Sequence, residues 1–224
     1  MPIKKFPDPR HSSPEGIVAL GGDLHPDSLL LAYRSGIFPW PMEGLPLAWF
    51  CPPERAILDF KDLHIPRSLA RSRKKILSAR HWEFTKNQDF GGVISACATV
   101  PRDSPGTWIT PEMHAAYLDF HRAGHAHSFE TWSADRKLIG GIYGVEVDGV
   151  FSAESMFYRE PYASKFALLT LIEDLQSRGF EWLDIQMLTP HMVALGAKEL
   201  SRAKFLQKLK KTQESYVRSK ASQS

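Results

Sequence analysis

The sequence predicts an α+β protein, a mixed sheet with flanking helices preceded by a small loop-rich N-terminal domain. Three observations predict it. The run from Val150 to Gln186 reads as strand, loop, helix, strand, the crossover that joins parallel strands. Just before it, Asp148-Gly149 stands between two β runs and is a strong hairpin signal, so antiparallel pairing leads into that crossover. Residues 1–60, in contrast, are dense in Pro, Gly and Trp.

The N-terminal arm, 1–26, carries turn signals at Pro7-Asp8 and Gly21-Gly22-Asp23 and reads as irregular. "PDSLLLAYRSGIFPW" is a short helix capped by Asp27 or Ser28, ended by Gly36 and barred from continuing by Pro39. A Pro/Trp-rich loop follows, then "RAILDF" as a strand. The basic stretch 64–80 is helical, with Pro66 in its first turn. "HWEFTK" is a strand and "DFGGVISACATV" has helical spacing. In "TPEMHAAYLDFHRAG", Thr110 caps, Pro111 starts, and Met113, Ala116, Tyr117 and Phe120 form one face. Three β runs come next, "HSFETW", "LIGGIYGVEV" and "GVFSAES". The helix 164–178 is capped by Ser164, with Phe166, Leu169, Ile172 and Leu175 as its buried stripe. "FEWLDIQM" is a strand, and a basic helix begins near Ser201. The expected division is 1–60, a small N-terminal domain, 61–212, a larger domain, and 213–224, a flexible tail. The order βββαβα, antiparallel strands leading into a crossover, is that of a GNAT-like sheet.

At 224 residues with 43% hydrophobic and 24% charged side chains, the chain can build a core without staples. Cys51 and Cys97 form no CxxC pair, the N-terminus lacks an apolar leader, and no run approaches a membrane span. The expectation is a soluble cytoplasmic protein. Net charge is only +3, yet the cations gather. Arg67, Arg71, Arg73, Lys74, Lys75 and Arg80 lie in one stretch, and "KELSRAKFLQKLKK" is another. Each alone suits a solvated helix face; together they suit a phosphate-bearing partner.

Parallel strands are usually almost pure hydrocarbon. Here Glu154 sits where the strand before the crossover helix ends, and Asp184 and Gln186 sit two apart on the strand after it. That spacing puts Asp184 and Gln186 on one face, with Leu183 and Ile185 on the other. A right-handed crossover lets all three polar groups converge on one cleft. Each would otherwise need its hydrogen bonds satisfied at real cost. An acetyl-CoA enzyme of this fold is one alternative, but it needs a glycine-rich turn to admit the pyrophosphate. Here that turn is "MFYREPYASK". A non-catalytic module that binds a phosphate-bearing partner is the other alternative. His121, His125 and His127 lack a familiar metal-ligand spacing, so no metal is expected. Trp40, Trp49, Phe50 and Trp108 lie in loops, where such rings pack between domains or stack on a nucleotide.

The motifs "ALGGDL", "LLLAYRSGIFPW", "GTWIT", "AYLDFHRAGHAHSFETW", "LIGGIYGV", "FSAESMF", "ASKFALL", "LDIQ" and "ALGAKELSRAKFL" occur in order over about 15–207. Together they resemble the bacterial leucyl/phenylalanyl-tRNA–protein transferase family. The resemblance implies a GNAT-like catalytic domain and no cofactor, neither CoA nor metal. It implies transfer of Leu or Phe from aminoacyl-tRNA to proteins with an N-terminal Arg or Lys, marking them for N-end rule degradation. Family positions fall on Trp40, Trp108, Tyr117, Glu154, Asp184 and Gln186. It implies that the three aromatics serve the terminal adenosine and the aminoacyl end of the tRNA. Phe151, Met156 and Ile142 are then the apolar pocket for the donor side chain. For such a substrate the basic stretch Arg67 to Arg80 is expected to grip tRNA phosphates, helped by Lys204 and Lys208. In that reading Asp184 attracts and helps deprotonate the attacking amine and Gln186 relays or orients it. Glu154 holds either the donor's amino group or the acceptor's side chain. The chain is expected to act as a monomer.

Overall fold

Seven strands drawn from residue 54 onward assemble into one sheet that carries the rest of the molecule. In the computed structural model, which describes residues 1–42, 44–100 and 107–221, the strands are β1 (Ile17–Leu20), β2 (Phe38–Trp40), β3 (Ala48–Phe50), β4 (Glu54–Asp59), β5 (Glu83–Lys86), β6 (Ala126–Trp132), β7 (Leu138–Val147), β8 (Val150–Tyr158), β9 (Trp182–Gln186) and β10 (Lys198–Ser201). The helices are α1 (Pro26–Arg34), α2 (Arg67–Arg80), α3 (Phe90–Thr99), α4 (Pro111–Arg122), α5 (Ala163–Ser177), α6 (Pro190–Ala194) and α7 (Arg202–Ala221). The large sheet has the order β10-β4-β9-β8-β7-β6-β5, and β1, β3 and β2 form a small one. Within the large sheet β8 and β9 run parallel, and the other described neighbours run antiparallel. This is the expected α+β arrangement, a mixed sheet with flanking helices.

Helix α5 covers one face. Its Phe166, Leu169, Ile172 and Leu175 are buried against Ala56, Leu58, Phe151 and Leu183, each side chain contributing about 1.5–3 kcal/mol. The helix lies so close to β7 that a Cβ on Gly140 would come within 2.5 Å of the Ala163 Cβ. Its first turn is thereby covered by the sheet, and Tyr162, at the cap position, stacks on Phe166. On the other face, the N-terminal unit, α3 and α4 pack on Tyr143, Val145 and Val147, while Phe205 and Leu209 of α7 pack on Ile57, Val150 and Trp182.

Several elements differ from expectation. The strand "RAILDF", expected in the N-terminal domain, is β4, an interior strand of the large sheet buried on both faces. The expected irregular arm contains β1, which pairs with β3. Helix α1 is capped by His25, whose Nδ1 accepts from Asp27 N, while Ser28 instead donates to Asp23. Tyr162 rather than Ser164 precedes α5. Short elements α6 and β10 carry no sequence signal strong enough to be read. Helix α7 continues through Ala221, where a flexible tail from 213 was expected, and 222–224 lie outside the described residues.

Candidate active site

The site forms where β8 and β9 part. These parallel strands pair at Phe151 with Leu183 and at Ser152 with Asp184. Two residues further along, Glu154 and Gln186 face each other across the opening. Glu154 is not at a strand end, as expected, but inside β8, which continues to Tyr158. Opposite β7, Ala153 pairs with Gly144 and Ser155 with Tyr143, so Glu154 is the extra residue of a β-bulge. A bulge re-aims one side chain out of the pleat. Gln186 ends β9 with φ 52°, a left-handed conformation, and its Nε2 donates to Glu154 Oε1 at 2.7 Å.

Glu154 is also approached by phenols. Tyr117 of α4 donates to Oε2 at 3.4 Å, and Tyr33 of α1 shares a very short hydroxyl–hydroxyl bond with Tyr117. Burial pushes the Glu154 carboxyl up to about 7, against the hydrogen bonds and the Arg55 charge that favour its ionised form. Burial likewise raises both tyrosines well above the usual phenol range, and the nearby Glu154 charge adds to it. They remain donors.

Asp184 has a different environment from the one expected. Its Oδ1 accepts from Arg55 Nε at 2.8 Å and from Gln186 N at 3.1 Å; its Oδ2 accepts from Arg55 Nη2 at 2.7 Å and Ser152 Oγ at 3.0 Å. Four bonds occupy the four lone-pair directions of the carboxylate. It has none left for an amine. Arg55, which the sequence does not single out, is 1% exposed and lies between the rings of Phe38 and Phe205, at 4.5 and 4.7 Å.

Of the expected substrate-binding residues, Trp40 and Trp108 stack at 5.4 Å and Trp108 meets Tyr117 edge-on at 6.5 Å. The three aromatics form a row that ends at Glu154. A cavity of about 410 Å³ is lined by Asp23, Leu24, Pro41, Met42, Glu112 and Met113, and by none of the three aromatics. Ile142 and Met156 are cross-strand partners, and with Phe151 they belong to the α5-side cluster. Phe151 and Ile142 are buried as a floor, whereas Met156 is partly open, as are Ala153 and Leu188.

The basic stretch divides. Arg67, Arg71, Lys74 and Lys75 form an exposed stripe at helical spacing with no ion pair among the described residues. Arg73 turns inward to a two-pronged pair with Glu173, and Arg80 pairs with Glu160. Lys208 is held by Asp59 at 2.7 Å. The histidines are dispersed: His121 stacks on Phe90, His125 leans on Phe120, and His127 bonds Asn87. Among the described residues, no three metal-binding side chains gather.

An acid, an amide and an aromatic row thus lie together where two parallel strands of the mixed sheet part. The model of the leucyl/phenylalanyl-tRNA protein transferase family matches residues 57–210, and that of its N-terminal domain matches 22–53. The chain belongs to this family. Relatives bearing that family name include one from Colwellia psychrerythraea, 47% identical over 88% of this chain and 82% of its own length. Another, from Magnetococcus marinus, is 47% identical over 91% of this chain and 86% of its own. A third, from Shewanella loihica, is 43% identical over 98% and 92%. Among solved structures, L-PGS from Bacillus licheniformis resembles it with TM-score 0.42 and 16% identity, over 63% of this chain and 49% of that one.

Proposed function

We propose that this protein transfers Leu or Phe, and Met more weakly, from aminoacyl-tRNA to the α-amine of an N-terminal Arg or Lys. The new peptide bond marks the acceptor for N-end rule degradation. The observation that carries the reading is the Glu154–Gln186 hydrogen bond at the parted strands, beside an apolar floor and an aromatic row.

The ester joining amino acid to ribose is already activated, so orientation and proton transfer are the main demands. An α-amino group titrates near ~8, and a base near neutrality is well matched to it. Glu154, at about 7, is that base. Because Gln186 Nε2 is committed to Glu154, its Oε1 is left to accept from the incoming amine. The amine nitrogen attacks the ester carbonyl, the carbon–oxygen bond to ribose breaks, and Glu154 takes the amine proton. Glu154 then passes that proton to the departing ribose oxygen, which leaves as a hydroxyl and returns Glu154 to its ionised form. Asp184 serves as an anchor for Gln186 rather than as the base.

Met156, over the floor of Phe151 and Ile142, receives the donor side chain. Trp40, Trp108 and Tyr117 receive the terminal adenosine and the aminoacyl end. Arg67, Arg71, Lys74 and Lys75 hold phosphates, which fix position without reading sequence. The protein works as a cytoplasmic monomer without a cofactor, where aminoacyl-tRNA is made. No helix among the described residues is long and apolar enough to cross a membrane.

The test is transfer of radiolabelled Leu from its tRNA to an Arg-initiated peptide, with Glu154→Gln as control. Label in the peptide that is lost in the variant supports the reading. No transfer by the wild-type protein, or full transfer by the variant, sinks it.

A further inference from the structure

We propose that Arg55 is a positioning residue for the transfer step: through Asp184 it fixes the backbone of Gln186 and so aims the Gln186 amide at Glu154. The proposal rests on the transferase reading above.

A guanidinium that is 1% exposed is a costly occupant of a core, where a hydrocarbon of similar size serves stability as well or better. What Arg55 provides is geometry. Its Nε and Nη2 take the two Asp184 oxygens at 2.8 and 2.7 Å, a planar fork that sets the plane of the carboxylate. Ser152 holds the same carboxylate from β8 at 3.0 Å. Oδ1, so fixed, accepts the Gln186 backbone N–H at 3.1 Å. Gln186 has φ 52°, a region that a residue with a side chain occupies only when its surroundings enforce it. From that turned backbone the Gln186 side chain reaches Glu154 at 2.7 Å.

The guanidinium itself has no freedom to swing. Phe38, from the small sheet, and Phe205, from α7, close its two faces at 4.5 and 4.7 Å. Its Nη1 points at the Gly36 carbonyl at 3.4 Å. Three parts of the chain therefore clamp one planar group, and that group sets the amide two links away.

Arg55→Lys tests this, because lysine keeps the charge and loses the fork. The expected result is a fall in kcat for Leu transfer of about 10²-fold, with KM for donor and peptide within about threefold of wild type. In the same variant the ¹⁵N-labelled Gln186 side-chain amide should leave its Glu154-bonded resonance position. Arg55→Ala should regain at least about tenfold in kcat with added guanidinium, and none with methylammonium, which has no fork. If Arg55→Lys does not fold, Phe205→Leu, which opens one face of the guanidinium, carries the same readouts.

Retention of wild-type kcat overturns the proposal. So does a loss of activity with the Gln186 resonance unmoved, or rescue by methylammonium as good as by guanidinium. Should the wild-type protein transfer nothing, the transferase reading fails by itself, and the Gln186 resonance still decides whether Arg55 positions it.

Discussion

Glu154 and Gln186 face each other across the gap between two parallel strands, the acid oxygen and the amide nitrogen 2.7 Å apart. Neither strand is regular there: one bulges at Glu154 and the other ends in a left-handed residue. Two distortions are needed to make one contact. That pairing links the titration of the acid to the conformation of the amide, and the first two predictions follow from it.

Glu154 should make stability depend on pH. Its folded pKa, about 7, exceeds the ordinary value of 4.5. The folded state therefore holds this proton more tightly than the unfolded chain does. The contribution is complete below about pH 4.5, declines as pH rises and is gone above about pH 7. Its size is on the order of 3 kcal/mol. Urea unfolding of wild type and Glu154→Gln at about pH 5 and about pH 8 measures it. The variant should gain on wild type at the higher pH; an unchanged difference between the two proteins would refute the buried-acid reading.

Gln186→Asn should separate conformation from reach. Asn tolerates left-handed backbone better than most residues, but it is one methylene short of Glu154. Folding stability should fall by only about 1–3 kcal/mol, the cost of one lost buried hydrogen bond, while turnover falls by about 10²-fold. A variant with wild-type turnover removes the amide from the chemistry.

The donor pocket should reward apolar volume without branching at Cβ. One methylene is worth about 1–3 kcal/mol in such a pocket, and Met156 is its pliable edge. Leu and Phe should outcompete Met, with Ile and Val rejected. Met156→Val, stiffer and shorter, should widen the gap between Phe and Leu. Competition between charged tRNAs reads this directly, and efficient Val transfer contradicts it.

The basic helix should show two kinds of cation. Reversing Arg71, Lys74 and Lys75 should weaken every aminoacyl-tRNA alike and flatten the salt dependence by about 0.7–0.9 per lost contact. An aminoacyl-adenosine mimic should bind as before. Arg73→Gln should instead leave the salt slope intact and lower stability, because it breaks the pair with Glu173. If the slope follows Arg73 and ignores the stripe, the tRNA path is elsewhere.

Features with a local chemical signature were legible from sequence. Asp148-Gly149 announces its hairpin, and Asp184 and Gln186 stand out because a buried strand otherwise carries hydrocarbon. Partnerships were not legible. Arg55 opens a short strand and looks like an edge residue, since its partner Asp184 lies 129 positions away. Tyr33 looks like one more member of the apolar stripe of α1. The bulge that aims Glu154 exists only as a register between β7 and β8. Arg73 and Arg80 read like their neighbours until α2 meets Glu173 and Glu160. The strands β1 and β10, four residues each, are too short for alternation to declare them.

The place of β4 in the sheet has a consequence for how the protein is made. This strand, Glu54–Asp59, is hydrogen-bonded on one side to β9 and on the other to β10, both of which follow it by more than a hundred residues. On a ribosome adding about 5–20 residues per second, the roughly 125 residues between β4 and the end of β9 take on the order of ten seconds to appear. Through that interval a strand bearing Arg55 has neither neighbour and the guanidinium has no carboxylate. The reactive centre therefore cannot exist until β9 has left the ribosome; up to that point Glu154 and Arg55 wait without Gln186 and Asp184.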